Sequence, residues 1–171
     1  MCAPSSEWPL PEADVGLRAL GLDLGTRRIG VALSNSAGTL ATPYEVVQRS
    51  GDRRTDHRRI AALADEAEVD MIVVGLPLHL DGRESPSSRA ARAEARQLSA
   101  TSGRVVETYD ERLTTVTAER SLRMMNIRGN TRRKMVDQLA ATVMLQSWLD
   151  HRRSAAESQS PPDPSPEPGL P

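Results

Sequence analysis

The 171-residue chain is 38% hydrophobic, enough to fill one core, and carries 22 Lys and Arg against 23 Asp and Glu. Its charge-free stretches, such as Met71 to Leu80 and Gln138 to Leu149, all fall short of the roughly 20 apolar residues of a membrane span, which excludes a transmembrane helix. The one cysteine, Cys2, has no partner for an internal disulfide, and the N-terminus lacks the basic-then-apolar order of a secretory signal, so a reducing, cytoplasmic setting is expected.

Residues 1–16 contain prolines and acids without periodicity, and residues 154–171 are rich in Pro and Ser; both are expected to be disordered tails flanking one domain over residues 17–153. The charge follows this division. Every Lys and Arg lies between Leu17 and Arg153, whereas six of the acids lie outside that segment, so the folded part is basic and compatible with a polyanionic partner. A generally charged, soluble surface would account for the same excess.

In chain order, Arg18 to Leu24 and Ile29 to Ser34 are short apolar runs separated by a Gly-Thr-Arg-Arg turn, the pattern of a β-hairpin. After the turn Asn35-Ser36-Ala37-Gly38, Ala41 to Val47 reads as a third strand, which Pro43 places towards an edge. Ile60, Leu63, Ala64 and Ala67 recur at helical spacing behind Thr55-Asp56, a plausible N-cap, and the wholly apolar Met71 to Val74 predicts an interior strand. Ser85-Pro86 has the form of a helix start leading to about Ser102, and Val105 to Tyr109 supplies a fifth strand. Two further helices are expected near Thr115 to Asn126 and Arg132 to His151. Three antiparallel strands followed by alternating helix and strand imply an α/β domain, with a mixed five-stranded sheet and helices on both faces.

Within the first strand, Leu20, Leu22 and Leu24 share one face and Ala19, Gly21 and Asp23 the other. A carboxylate inside such a strand is costly unless solvated, hydrogen-bonded or bound to a cation, so Asp23 is either half-exposed or a metal ligand. Asp137 precedes Ala141, Met144 and Trp148 on one helical line, which leaves two readings, an inward-facing ligand or a complement to the helix dipole. Glu111, in Asp110-Glu111-Arg112-Leu113-Thr114-Thr115, follows the fifth strand at the kind of strand end where α/β sites gather. Carboxylates brought together would call for an oxygen-preferring divalent cation, Mg²⁺ or Mn²⁺. The three histidines, His57, His79 and His151, have no zinc-ligand spacing.

The segments GLDLGTRRIGVALSN, IVVGLPLHLDG, DERLTT and KMVDQLAATVMLQSWL, in that order over residues 18–150, resemble the YqgF (RuvX-like) family of bacterial nucleases. The resemblance implies a ribonuclease H-like fold related to the resolvase RuvC. It also implies a nuclease acting on Holliday junctions or at the 5′ end of pre-16S rRNA. Carried over by matched position, it makes Asp23, Glu111 and Asp137 the catalytic, metal-holding acids, with Asp110 beside Glu111 as an alternative ligand. His79 stands where the family usually has Asn. The implied chemistry is hydrolysis with two metal ions about 4 Å apart, one activating water and the other stabilising the leaving oxygen.

Arg27, Arg28, Arg83, Arg112, Arg128, Arg132, Arg133 and Lys134 are candidates for phosphate contacts, densest in the loop from Arg128 to Arg133. Only four aromatic residues occur (Trp8, Tyr44, Tyr109 and Trp148), which favours reading nucleic-acid backbone or shape over base stacking. Two other classes fit parts of the pattern. One is a kinase-like ATPase, whose fold also opens with an Asp-x-Gly-Thr hairpin but needs two related domains. The other is a non-catalytic nucleic-acid-binding or ribosome-assembly factor on the same fold.

Overall fold

A computed structural model describes residues 16–77, 81–110 and 130–159, the last segment without the side chains of residues 130–137 and 159. Strands β1 (Ala19–Leu24), β2 (Arg28–Ser34) and β3 (Ala41–Gln48) form an antiparallel meander. Helix α1 (Arg53–Glu66), strand β4 (Met71–Leu76), helix α2 (Pro86–Ser102), strand β5 (Val105–Asp110) and helix α3 (Asn130–Gln159) follow. The sheet order is β3-β2-β1-β4-β5, with β4 parallel to both β1 and β5. The mixed five-stranded sheet read from the sequence is thus present, and Pro43 does lie on an edge strand, where a register shift skips Tyr44 and no interior ladder is interrupted.

Alternation along β1 divides the core. Leu20 and Leu22 join Ile60, Leu63 and Leu98 of α1 and α2 in one cluster, whereas Ala19 joins Met71, Val73, Met144, Leu145 and Trp148 in a second cluster under α3. Helices therefore cover both faces of the sheet, and all six residues of β4 are buried, as an interior parallel strand requires. On the α3 side, the small residues of β1 let the helix approach closely. A Cβ built on Gly21 would lie 2.8 Å from the Leu145 Cβ, an atom fixed to the helix backbone.

Several boundaries differ from the sequence reading. Helix α1 is capped by Asp52, whose carboxylate accepts from the Arg54 and Thr55 amides, and not by Thr55-Asp56. Asp56 is instead buried and accepts from the amide and hydroxyl of Ser50. Ser85 does cap α2, in a reciprocal box with Ser88. Helix α3 begins at Asn130 and runs to Gln159, past residue 153, so Arg132 and Arg133 sit in its first turn and not in a loop. The helix expected near Thr115 to Asn126 and the two outer tails, residues 1–15 and 160–171, lie outside the described residues.

One polar cluster interrupts the apolar packing between β3, α1 and α2. The Arg49 guanidinium makes two hydrogen bonds to the Glu94 carboxylate, at 2.5 and 3.2 Å, and Glu94 also meets His57 Nε2 at 3.2 Å. Glu94 and His57 are only 5% and 2% exposed, and Asp56, 3% exposed, places a carboxylate oxygen 3.8 Å from Arg49. Burial alone would raise the Glu94 carboxyl pKa, but the hydrogen bonds and charge of Arg49, aided by His57, hold it below the ordinary value of 4.5.

Two stability effects follow. Gly21→Ala should destabilise the fold by about 1–3 kcal/mol through overpacking against Leu145, measured by urea unfolding. Glu94→Ala, which strands a largely buried guanidinium, should cost about 3 kcal/mol. Because the Glu94 pKa is depressed in the folded state, its contribution is complete above 4.5 and is lost as pH falls through the folded value. In Glu94→Gln, unfolding free energy should therefore vary less with pH below 4.5 than in the parent protein.

Candidate active site

The parallel strands β1, β4 and β5 end together at one edge of the sheet, at Leu24, Leu76 and Asp110. Ligand sites in open α/β sheets form at such carboxyl edges, since the chain leaves each strand there and side chains from neighbouring strands converge. Asp23 lies at this edge, one residue before the end of β1, and is half-buried. It lies two residues beyond Gly21, which meets Leu145, so strand alternation places it on the α3 face. Its backbone carbonyl accepts from the Gly25 amide at 3.1 Å, and the turn to β2 begins there.

On β5 the same alternation separates two neighbouring acids. Glu107 accepts from the Trp148 indole of α3 at 3.2 Å, and the Tyr109 hydroxyl bonds to Ser147 of the same helix at 3.0 Å. Val106 and Thr108 instead face α2, lining a groove with Arg92 and Ala95, and Asp110 continues that side of the strand. Asp110 therefore occupies the face opposite to Asp23. Glu111 lies outside the described residues.

Asp137 is within α3, eight residues before Leu145, or about 12 Å along the helix axis. Ala141, Met144 and Trp148, the residues on its helical line, are all buried against the sheet. The backbone thus brings Asp23 and the segment holding Asp137 to one side of the sheet, while the Asp137 side chain is not described. Among the described residues no group of three His, Cys, Asp or Glu is placed to hold a metal ion. The available donor chemistry, carboxylate oxygen from Asp23, suits a hard cation. His57 is engaged by Glu94 and His151 lies 3.3 Å from the Tyr109 hydroxyl, while His79 lies outside the described residues.

Of the basic candidates, Arg27 is exposed in the β1–β2 turn beside Asp23, and Arg28 opens β2. Arg83 is exposed on the loop before α2 and pairs with Asp81 at 2.9 Å. Arg132, Arg133 and Lys134 belong to α3 without described side chains, and Arg112 and Arg128 lie outside the described residues. The sequence reading missed Arg49. Its Nε donates to the Gly25 carbonyl at 3.1 Å and its amide donates to the Arg27 carbonyl at 2.9 Å, so it grips both sides of the turn that follows Asp23. A lone arginine after an edge strand carries no sequence signal for such a contact, and its partner Glu94 is 45 residues away.

Comparison with known proteins agrees with this layout. The family model described as RuvX, Holliday junction resolvase, matches residues 17–151. A relative from Mycobacteroides abscessus, named "Putative pre-16S rRNA nuclease", is 42% identical over 94% of this chain and 97% of its own. Proteins of the same name from Myxococcus xanthus and Mycobacterium bovis are 41% and 48% identical, over 89% and 81% of this chain and 100% and 81% of theirs. Among solved structures, RuvC of Thermus thermophilus in complex with Holliday junction substrate superposes with a TM-score of 0.55 at 13% identity, covering 81% of this chain and 97% of RuvC. That likeness establishes the ribonuclease H-like fold. On the family match and these relatives together, the chain belongs to the RuvX family of Holliday junction resolvases.

Proposed function

We propose that the chain is a metal-dependent nuclease that hydrolyses phosphodiester bonds, with Asp23, Glu111 and Asp137 as its metal-holding acids. The observation that carries this reading is the placement of Asp23, a half-buried carboxylate at the carboxyl edge of the central strand, on the face covered by the helix that contains Asp137. Asp110 lies on the other face, which leaves Glu111 as the proposed ligand from its segment. Mg²⁺ or Mn²⁺, when bound, would supply the activation of water and the stabilisation of the leaving oxygen.

The chain's own residues have separate tasks. Asp23 would present oxygen to a cation from a strand packed on both faces, with little rearrangement. Arg27 and Arg28, on the turn beside it, hold the substrate backbone at phosphate oxygens, with Arg83, Arg112, Arg128, Arg132, Arg133 and Lys134 extending the contact. Tyr109 and Trp148 are buried and bonded to protein groups, so neither offers a free face for stacking many bases.

The substrate we favour is the 5′ end of pre-16S rRNA, the activity for which the relatives at 41–48% identity are named, in a cytoplasmic role in ribosome biogenesis. Holliday-junction-like DNA, from the family description, is the second candidate. No helix among the described residues is long and apolar enough to cross a membrane.

With purified protein, four-way DNA junctions, duplex and single-stranded DNA and a pre-16S RNA fragment should be compared in Mg²⁺ and in Mn²⁺. Cleavage of at least one substrate is expected, with Asp23→Asn lowering it by about a hundredfold or more while the protein stays folded. Full activity in that variant would remove Asp23 from the mechanism, and metal-dependent binding without any cleavage would favour the non-catalytic factor. Affinity should also fall linearly on a log–log plot against salt, and Arg27→Ala should reduce that slope by about one.

A further inference from the structure

A buried ionic cluster is an expensive way to join three elements, because apolar side chains of similar size often stabilise a fold as well or better. Here it involves Arg49, Asp56, His57 and Glu94, on the face of the sheet away from α3. Its members point in one direction. Glu94 of α2 takes both terminal nitrogens of Arg49, His57 of α1 supports Glu94, and Asp56, fixed by two hydrogen bonds from Ser50, adds a second negative charge. With those nitrogens occupied, the Arg49 Nε is left facing the Gly25 carbonyl, to which it donates at 3.1 Å. The Arg49 amide meanwhile donates to the Arg27 carbonyl at 2.9 Å.

Both contacts fall on the turn that connects Asp23 to Arg28. The Gly25 amide donates to the carbonyl of Asp23 itself, and a Cβ at Gly25 would collide with the Arg28 carbonyl, so the turn is tight as well as gripped. The geometry points to Arg49 as a positioning residue for the active site. Oriented by Glu94, it fixes the Gly25–Arg28 turn, and through it the end of β1 that carries Asp23 and the presentation of Arg27 and Arg28 to phosphate. The inference rests on the nuclease reading for its consequence, but the holding of the turn stands on the contacts alone.

Arg49→Lys separates this role from simple stability. Lysine keeps the positive charge beside Glu94 and the main-chain bond to Arg27, but it has no planar fork with which to hold Glu94 and Gly25 together. With the best-cleaved substrate of the panel above, kcat should fall about tenfold, since small displacements of reacting groups are costly. Amide hydrogen exchange across Gly25–Arg28 should accelerate about tenfold as the turn loosens. The control is Leu98→Ala, a buried α2 residue in the same core, assayed at a temperature where both variants remain folded. It should lose at least as much thermal stability, yet keep kcat within about twofold and leave exchange in the turn unchanged. Parental kcat and parental exchange in Arg49→Lys, or an equal kcat loss in Leu98→Ala, would overturn the positioning role. Were the parent protein to cleave nothing, the nuclease reading would fall, and the exchange comparison would still decide whether Arg49 holds the turn.

Discussion

The approach of α3 to the sheet at Gly21 governs the geometry of the site. Leu145 packs where a side chain at Gly21 would intrude, so this contact sets the height of a 30-residue helix above the sheet. Gln146 then reaches β3, accepting from the Ala41 amide and donating to the Thr39 carbonyl, while Ser147 and Trp148 bond to Tyr109 and Glu107 of β5. Those contacts span the sheet from one edge strand to the other, so the helix is fixed laterally as well as in height. Residue Asp137, two turns upstream, is placed by the same packing. A bulkier residue at Gly21 would lift the helix segment that carries one proposed ligand away from the strand that carries another.

The two faces of the sheet divide the work. Leu20 and Leu22 of β1 and Ile72 and Val74 of β4 meet α1 and α2, whereas on the other face the small β1 residues Ala19 and Gly21 admit α3 beside Met71 and Val73. The ionic cluster lies on the face away from α3 and Asp23. Arg49 therefore acts on the turn from behind, bonding its carbonyls without adding positive charge on the side where a cation would bind.

Features encoded locally were legible in the sequence. Alternation in residues 19–24 separated the two faces correctly, the apolar run at Met71 identified the interior strand, and Ser85-Pro86 marked the start of α2. What could not be read were contacts between distant segments. Asp52, Thr55 and Asp56 are all plausible caps, and only the partnering of Asp56 with Ser50 and its proximity to Arg49 determine which one is free to cap α1. His57 has no zinc-ligand spacing, and nothing near it in the sequence announces a carboxylate 37 residues later. Of the proposed site, the position and face of Asp23 were legible from period-two alternation. Its neighbours were matched by resemblance, since no local pattern states which strand end lies beside which helix.

The aromatic residues bear on how a nucleic acid could be recognised. Tyr44 packs against the α1–α2 core, and Tyr109 and Trp148 are committed to contacts between β5 and α3; Trp148 also carries Arg152 over its ring. Among the described residues there is consequently no stacking platform by which individual bases would be recognised. On the proposed reading, recognition would fall to arginines that meet phosphates, and phosphates are common to RNA and DNA. Selectivity would then come from the path of the substrate backbone and not from base stacking. A family described by DNA junctions and relatives named for ribosomal RNA are compatible on that reading, because contacts to phosphate alone do not distinguish the sugar.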